Sequence, residues 1–336
     1  MRRGTIPPYR PPAPTVDTLI RWPESFGTRF LVFVDVEEEF DWSAPLEARH
    51  RSVTAMRALP AAHARFADRG VGLVCLVDHP VASDTEAVAI LRDVVADGRS
   101  TIGAQLHSWV TPPYGAPTPG DSYPGNLPRA AQAAKLDVLT DVLGAAFGAA
   151  PIVYRAGRYG IGPDTAELLA ERGYRVETSI RARYDYSADG GPDFSRIGSE
   201  AYRLGSLIEV PLTSVFTGAL RARGPGLYPA LGRVPHGRGV AARSGLLQRI
   251  ALTPEDMPIE QALAAVRIAV RDEGQRLLTF SFHSPSLEPG HTPYVRDARD
   301  LDRFWHWWDR MFAELDALGV KPTTLNAMLA AADCQV

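Results

Sequence analysis

Seven short apolar runs, each meeting a polar or charged residue and separated from the next by a helical or irregular stretch, set the organisation of this 336-residue chain. In the first, Leu31, Val32, Phe33 and Val34 pass without interruption into Asp35-Val36-Glu37-Glu38-Glu39. An unbroken run of strand-favouring residues predicts a strand buried on both faces. Side chains alternate along it, so Asp35 and Glu37 fall on one side and Val36 on the other. The later runs occupy 71–77, 101–106, 152–156, 174–178, 207–211 and 276–283, and four of them meet Asp78-His79, His107, Arg155 and His283.

Helical spacing accounts for much of the chain between the runs. Residues 49–69 predict a helix interrupted at Pro60, and 84–96 place Val88, Leu91 and Val95 on one face with Asp84 as a cap. Further helices are expected at 129–147, at 163–171, after Thr253-Pro254, and at 298–318, where Leu301, Phe304, Trp308, Phe312 and Leu315 form an apolar stripe. The segment 217–249 shows no clear period. Strands alternating with helices predict a parallel α/β architecture. Seven strands fit a distorted seven-stranded (β/α) barrel better than a regular eight-stranded one, with a doubly wound sheet as the other arrangement. Pro7, Pro8, Pro11, Pro12 and Pro14 predict an extended N-terminal arm over 1–28, followed by one domain over 29–336.

Composition narrows the function. At 45% hydrophobic and 22% charged residues, the chain can bury a sizeable core. Its 36 basic and 39 acidic residues leave no general footprint for nucleic acid, and no helix-turn-helix or zinc-finger signature occurs. Cys75 and Cys334 lie far apart without a CxxC spacing, which excludes a disulfide framework and a thiolate zinc site. Arg2 and Arg3 precede prolines rather than an apolar stretch, and no run approaches the roughly 20 apolar residues of a membrane span. The expectation is a cytoplasmic protein with no membrane partner.

Asp35, Glu37, His79, His107, Arg155 and His283 all stand at or just beyond strand ends. A parallel barrel brings such residues to one mouth, where carboxylates and imidazoles can bind a divalent ion and exchange protons. In order and placement these motifs resemble those of the polysaccharide-deacetylase family, the NodB-homology-like carbohydrate esterases. Asp35-Val36-Glu37 resembles the acidic motif, 102–107 the histidine region, Tyr154-Arg155-Ala156 the arginine motif and 278–283 the final histidine motif, across about 30–320. The histidine motif is atypical. Thr111 lies four residues after His107; with Gln105 at the first histidine position, Trp109 falls where the second is expected.

The resemblance implies a distorted barrel and metal-dependent hydrolysis of N-acyl groups, N-acetyl above all, on carbohydrate or related small acylated substrates. It implies Asp35 as base, His283 as acid, and Arg155 as the group holding Asp35 or a substrate oxygen. Glu37 and His107 would bind a divalent metal, zinc by family habit, with His79 as a further candidate. Trp42, Trp109 and Tyr114 would stack on a sugar ring, and Tyr294 would enter from a proline-rich rim loop over 284–294. Other classes fit less well. An amidohydrolase barrel needs an early His-x-His, Gly157 and Gly160 do not make GxGxxG, and Ser284 and Ser286 lack a nucleophile elbow. The alternative outside enzymes is a carbohydrate-binding protein of the same fold that has lost catalysis.

Overall fold

The computed structural model describes residues 7–115 and 118–334. From the N-terminus the regular elements are β1 (Arg29–Val36), α1 (Leu59–Ala67), β2 (Leu73–Val77), α2 (His79–Ser83), α3 (Thr85–Val95), β3 (Thr101–Leu106), α4 (Arg129–Phe147), β4 (Val153–Ala156), α5 (Thr165–Ala170) and β5 (Val176–Glu177). They continue with β6 (Tyr202–Leu204), β7 (Leu207–Glu209), β8 (Ser214–Thr217), α6 (Gly224–Leu231), α7 (Gly237–Arg243), β9 (Gln248–Ala251), α8 (Ile259–Arg271), β10 (Leu277–His283), α9 (Ala298–Ala317), β11 (Lys321–Pro322) and α10 (Leu325–Asp333).

Seven strands pair in parallel in the order β10-β1-β2-β3-β4-β5-β7, one for each apolar run of the sequence. The order advances in one direction and returns the last parallel strand to the side of the first, which is a barrel's progression rather than a doubly wound one. β6 adds antiparallel to β7, and β11 pairs beside the start of β1. No ladder joins β7 to β10. Hydroxyls bridge the gap: Thr213 N–H donates to Thr279 Oγ1 at 2.7 Å, Thr279 N–H to Thr213 Oγ1 at 2.9 Å, and Thr279 Oγ1 to the Pro211 carbonyl at 2.7 Å. The sheet is therefore a curled, open α/β barrel.

Alternation gives the wall two apolar faces. Outward, Phe30, Val32 and Val34 join Leu73, Cys75, Phe280 and Phe282 beneath the helices, with Trp308 of α9 packed edge-on against Phe66. Inward, Leu31, Phe33, Leu76, Val153, Val176 and Ile208 fill the barrel, and Leu325, Met328 and Leu329 of α10 join them. The inward side chains that follow, Asp35 and Arg155, therefore lie beyond this apolar filling, at the carboxyl ends of their strands.

Two expectations change, and the segment before residue 29 packs on the body: Ile20 and Phe26 are buried in the inner cluster, Ile20 N–H donates to Ala201 O at 2.9 Å, and Trp22 stacks on Phe26. Prolines make the arm extended, but the apolar residues behind them dock it; 1–6 lie outside the described residues. Pro60 starts α1 instead of interrupting it, because in the first turn its missing N–H removes no helical bond. The segment 217–249 holds α6 and α7, connected between the paired strands β8 and β9.

Candidate active site

Asp35 and His283 are register partners on adjacent strands, so the two reach the same end of the barrel together. Arg155, two strands beyond β2, reaches across the interior, and its Nη1 donates to Asp35 Oδ1 at 2.5 Å. Both are buried, and Arg155 is fixed further by Nε donating to the Thr178 carbonyl at 3.0 Å. The second carboxylate oxygen, Asp35 Oδ2, faces His283 Nε2 at 3.5 Å. The other ring nitrogen, His283 Nδ1, is 2.8 Å from Glu255 Oε2, while Glu255 Oε1 accepts from the His283 amide and from Ser286 Oγ at 2.6 Å. Burial works against charge on His283, but Glu255, Glu37 and Asp35 outweigh it and push the imidazole up to about 10. The ring is thus a proton donor held in one orientation, beside a carboxylate with one oxygen tied and one facing the ring.

His107 forms the adjoining wall. Its Nε2 lies 3.5 Å from Glu37 Oε2, which also accepts from Gln105 Nε2 at 3.3 Å. Glu37 Oε1 and Gln105 Oε1 are buried without hydrogen-bond partners. Burial pushes Glu37 up to about 7 against the opposing pull of His283 and His107. Behind the ring, Nδ1 is 2.8 Å from Glu38 Oε2, and Trp109 Nε1 donates to Glu38 Oε1 at 2.7 Å. Asp78 accepts the Glu38 amide at 2.8 Å and the Val81 amide at 2.9 Å, capping α2. Burial raises Glu38 to about 8 and Asp78 well above the usual carboxylate range. One ligand atom each from Glu38, Asp78 and His107 lies within 4.8 Å of the others. Two buried carboxylates and an imidazole at that spacing can hold a divalent ion. The two partnerless oxygens of Glu37 and Gln105 extend the oxygen donors to the other side of the ring.

A cavity of about 1040 Å³ opens over these groups; Asp35, Glu37, Gln105, His107, Arg155 and His283 line it. Trp42, Trp109, Tyr114 and Tyr294 line it as well. Trp42 (38% exposed) and Tyr114 (49% exposed) keep free surface for a ligand. Trp42 also meets His283 and Tyr294 edge-on at 5.1 and 5.5 Å. Trp109 differs: its ring stacks on His107 at 4.2 Å and its N–H is committed to Glu38, so it positions the imidazole.

His79 does not join the constellation. The chain enters α2 directly after Asp78, and this turn leaves the half-buried His79 ring beside Ser83, away from the cavity lining. Its neighbour Asp78 lies beside Glu38 and His107 instead. Glu38 escapes the alternation argument because β1 ends at Val36 and the backbone turns to donate to Asp78. Glu255 stands in the loop before α8, where the pattern pointed only to a helix start, and nothing in the sequence ties it to His283.

No protein-family model matches the chain, and no curated protein does. Solved structures do resemble it. A Mycobacterium smegmatis protein assigned to the polysaccharide deacetylases superposes with a TM-score of 0.49 at 16% identity, over 94% of this chain and 98% of that one. A 4-alpha-glucanotransferase from Thermococcus litoralis gives 0.50 at 12% identity, over 90% of this chain but 40% of the larger enzyme. A pseudoenzyme of the CE4 family from Bacillus anthracis gives 0.40 at 8% identity, over 88% of this chain and 64% of that one. At 12% identity the likeness to the glucanotransferase is one of fold alone. The chain has the distorted (β/α) barrel implied by its motifs, with an atypical histidine motif in which Gln105 and Trp109 stand where paired imidazoles are expected.

Proposed function

We propose that the protein is a divalent-metal-dependent deacylase that hydrolyses N-acyl groups, N-acetyl foremost, on carbohydrates or related small substrates. The observation that carries this reading is Asp35 set between Arg155 and His283 in an aromatic-rimmed cavity. In the reaction, water oxygen adds to the acyl carbon, and Asp35 Oδ2 takes the water proton while Arg155 holds Oδ1. The carbon–nitrogen bond then breaks as His283 Nε2 gives its proton to the departing amine. Glu255 keeps that nitrogen aimed inward by engaging Nδ1.

A divalent ion, zinc by family habit, would supply polarisation of the acyl carbonyl and a more acidic water. The donor set fits such an ion: two oxygens without partners beside an imidazole, with two more carboxylates behind it. We assign the ion to His107 and Glu37, with the Gln105 oxygen alongside, because these border the cavity whereas Glu38 and Asp78 are not among its lining residues. Glu38 then orients the ring as an outer carboxylate. Trp42 and Tyr114 offer aromatic faces to a sugar ring.

Gln105 and Trp109 favour one other reading, a carbohydrate-binding protein without turnover, since neither adds an imidazole. Metal analysis joined to an acyl-release screen separates the two. The deacylase reading expects stoichiometric metal, activity lost on chelation and regained when metal returns. Glycan binding without metal uptake or product across a broad N-acyl panel would sink it.

A further inference from the structure

On the outer face of the sheet, four polar side chains stand in one row across four strands. Tyr154 of β4 is the register partner of Glu177 on β5, Glu177 of Glu209 on β7, and Glu209 of Tyr202 on β6. All four are buried: Tyr154, Glu177 and Glu209 at 0% exposure and Tyr202 at 2%. Register partners share a face, and Tyr154 alternates with Arg155, so this row faces away from the catalytic cavity.

The row is rich in unused oxygen. Glu177 Oε1 accepts from the Ser179 amide at 2.9 Å and from its hydroxyl. The hydroxyls of Tyr154 and Tyr202 have no hydrogen-bond partner, while the Glu177 and Glu209 carboxyls lie close enough to share a hydrogen bond and the Ile180 amide approaches Glu209. The row itself holds no cation, although Arg155 on the opposite face of the sheet pulls both carboxyls down. Two facing carboxylates buried this way repel each other and lose their hydration, and burial together with Glu177 drives Glu209 well above the usual carboxylate range. Something must neutralise them. One proton removes one charge and satisfies two of the oxygens, whereas a divalent cation matches both charges and takes oxygens from both carboxylates.

We propose that Glu177 and Glu209, flanked by Tyr154 and Tyr202, form a structural binding site for a hard divalent cation of the calcium class. Oxygen-only donors select hard ions over zinc. Calcium accepts six to eight oxygens in loose geometry, while magnesium demands an octahedron and retains its waters. Tyr9 of the N-terminal segment lies near enough to both carboxylates to be influenced by their charge, and its carbonyl accepts the Asp193 amide at 2.9 Å. An ion here would therefore tie β5 and β7 to the N-terminal segment.

Calcium alone, titrated into chelator-stripped protein at neutral pH, tests the site by calorimetry and thermal melting. His107→Ala serves as the background, because it removes the imidazole of the catalytic cluster and leaves the outer row intact. In that background we expect one calcium per chain and a melting temperature raised by about 4 °C at a hundredfold excess over Kd. Glu209→Gln should weaken calcium at least about tenfold and abolish the rise. Tyr202→Phe, which keeps the packing, should weaken it several-fold and remains informative if Glu209→Gln does not fold. Calcium binding unchanged in both variants overturns the proposal. So does an absence of calcium binding in the His107→Ala protein, and in that case Glu209→Gln at least as stable as its parent would identify a shared proton as the neutralising partner.

Discussion

At the scale of single residues, the proposed reaction depends on which atom holds which proton. His283 stays protonated because three carboxylates outweigh its burial, and Glu255 contributes most among them. A required acid is lost as pH rises through its pKa, so kcat/KM should fall on the alkaline side near 10 in the native protein. Glu255→Gln removes the leading attraction, and the alkaline fall should move to lower pH while the acid limb stays in place. A pH–rate profile of the two proteins checks this; an unmoved alkaline limb would remove Glu255 from its role. Part of this site is legible in sequence because strand alternation forces it: Asp35 and Arg155 point inward by parity, and Glu37 keeps that side one residue past the end of β1. Glu38, Asp78 and Glu255 are not legible. The first lies past the end of its strand, the second caps a helix, and the third comes from a loop 28 residues before its partner.

At the scale of elements, the parallel strands were recoverable because each is an apolar run, whereas β6, β8 and β9 are three- or four-residue strands without a distinctive pattern. Turns are fixed by single side chains. Between α3 and β3, Asp97 accepts from the amides of Arg99 and Ser100 at 2.7 Å each, from Ser100 Oγ at 2.9 Å and from His63 Nε2 at 2.9 Å. Burial opposes its charge, yet these donors prevail and lower it to about 2 from an ordinary 3.8. A depressed carboxyl stabilises the fold above its unfolded pKa and loses that contribution as pH falls through the folded value. Asp97→Ala should therefore cost about 2 kcal/mol at neutral pH, with the difference from the parent vanishing as pH approaches 2. Urea melts at several pH values measure it, and a difference that does not change with pH would point to packing instead.

For the molecule as a whole, the open barrel depends on what fills it. The N-terminal segment reads as a loose arm because prolines dominate its start, and it becomes part of the body because Ile20 and Phe26 join the inner cluster that α10 also enters. A protein beginning at residue 29 should lose about 3–5 kcal/mol of stability, the burial of two large apolar side chains. Chemical denaturation is the check, and an unchanged midpoint would return the segment to the status of an arm. The hydroxyl clasp of Thr213 and Thr279 is the complementary device, joining edges that no ladder closes. Together these keep β1, β4 and β10 at the spacing that brings Asp35, Arg155 and His283 into contact.

The most direct test of that convergence is the single-turnover rate of acyl release by Asp35→Asn, under conditions where chemistry rather than product release limits the rate. Asparagine keeps the size and removes the basic oxygen, so the chemical step should slow by roughly 10²–10⁴-fold while substrate still binds. An unchanged rate would contradict Asp35 as the base, and with it the proposed reaction.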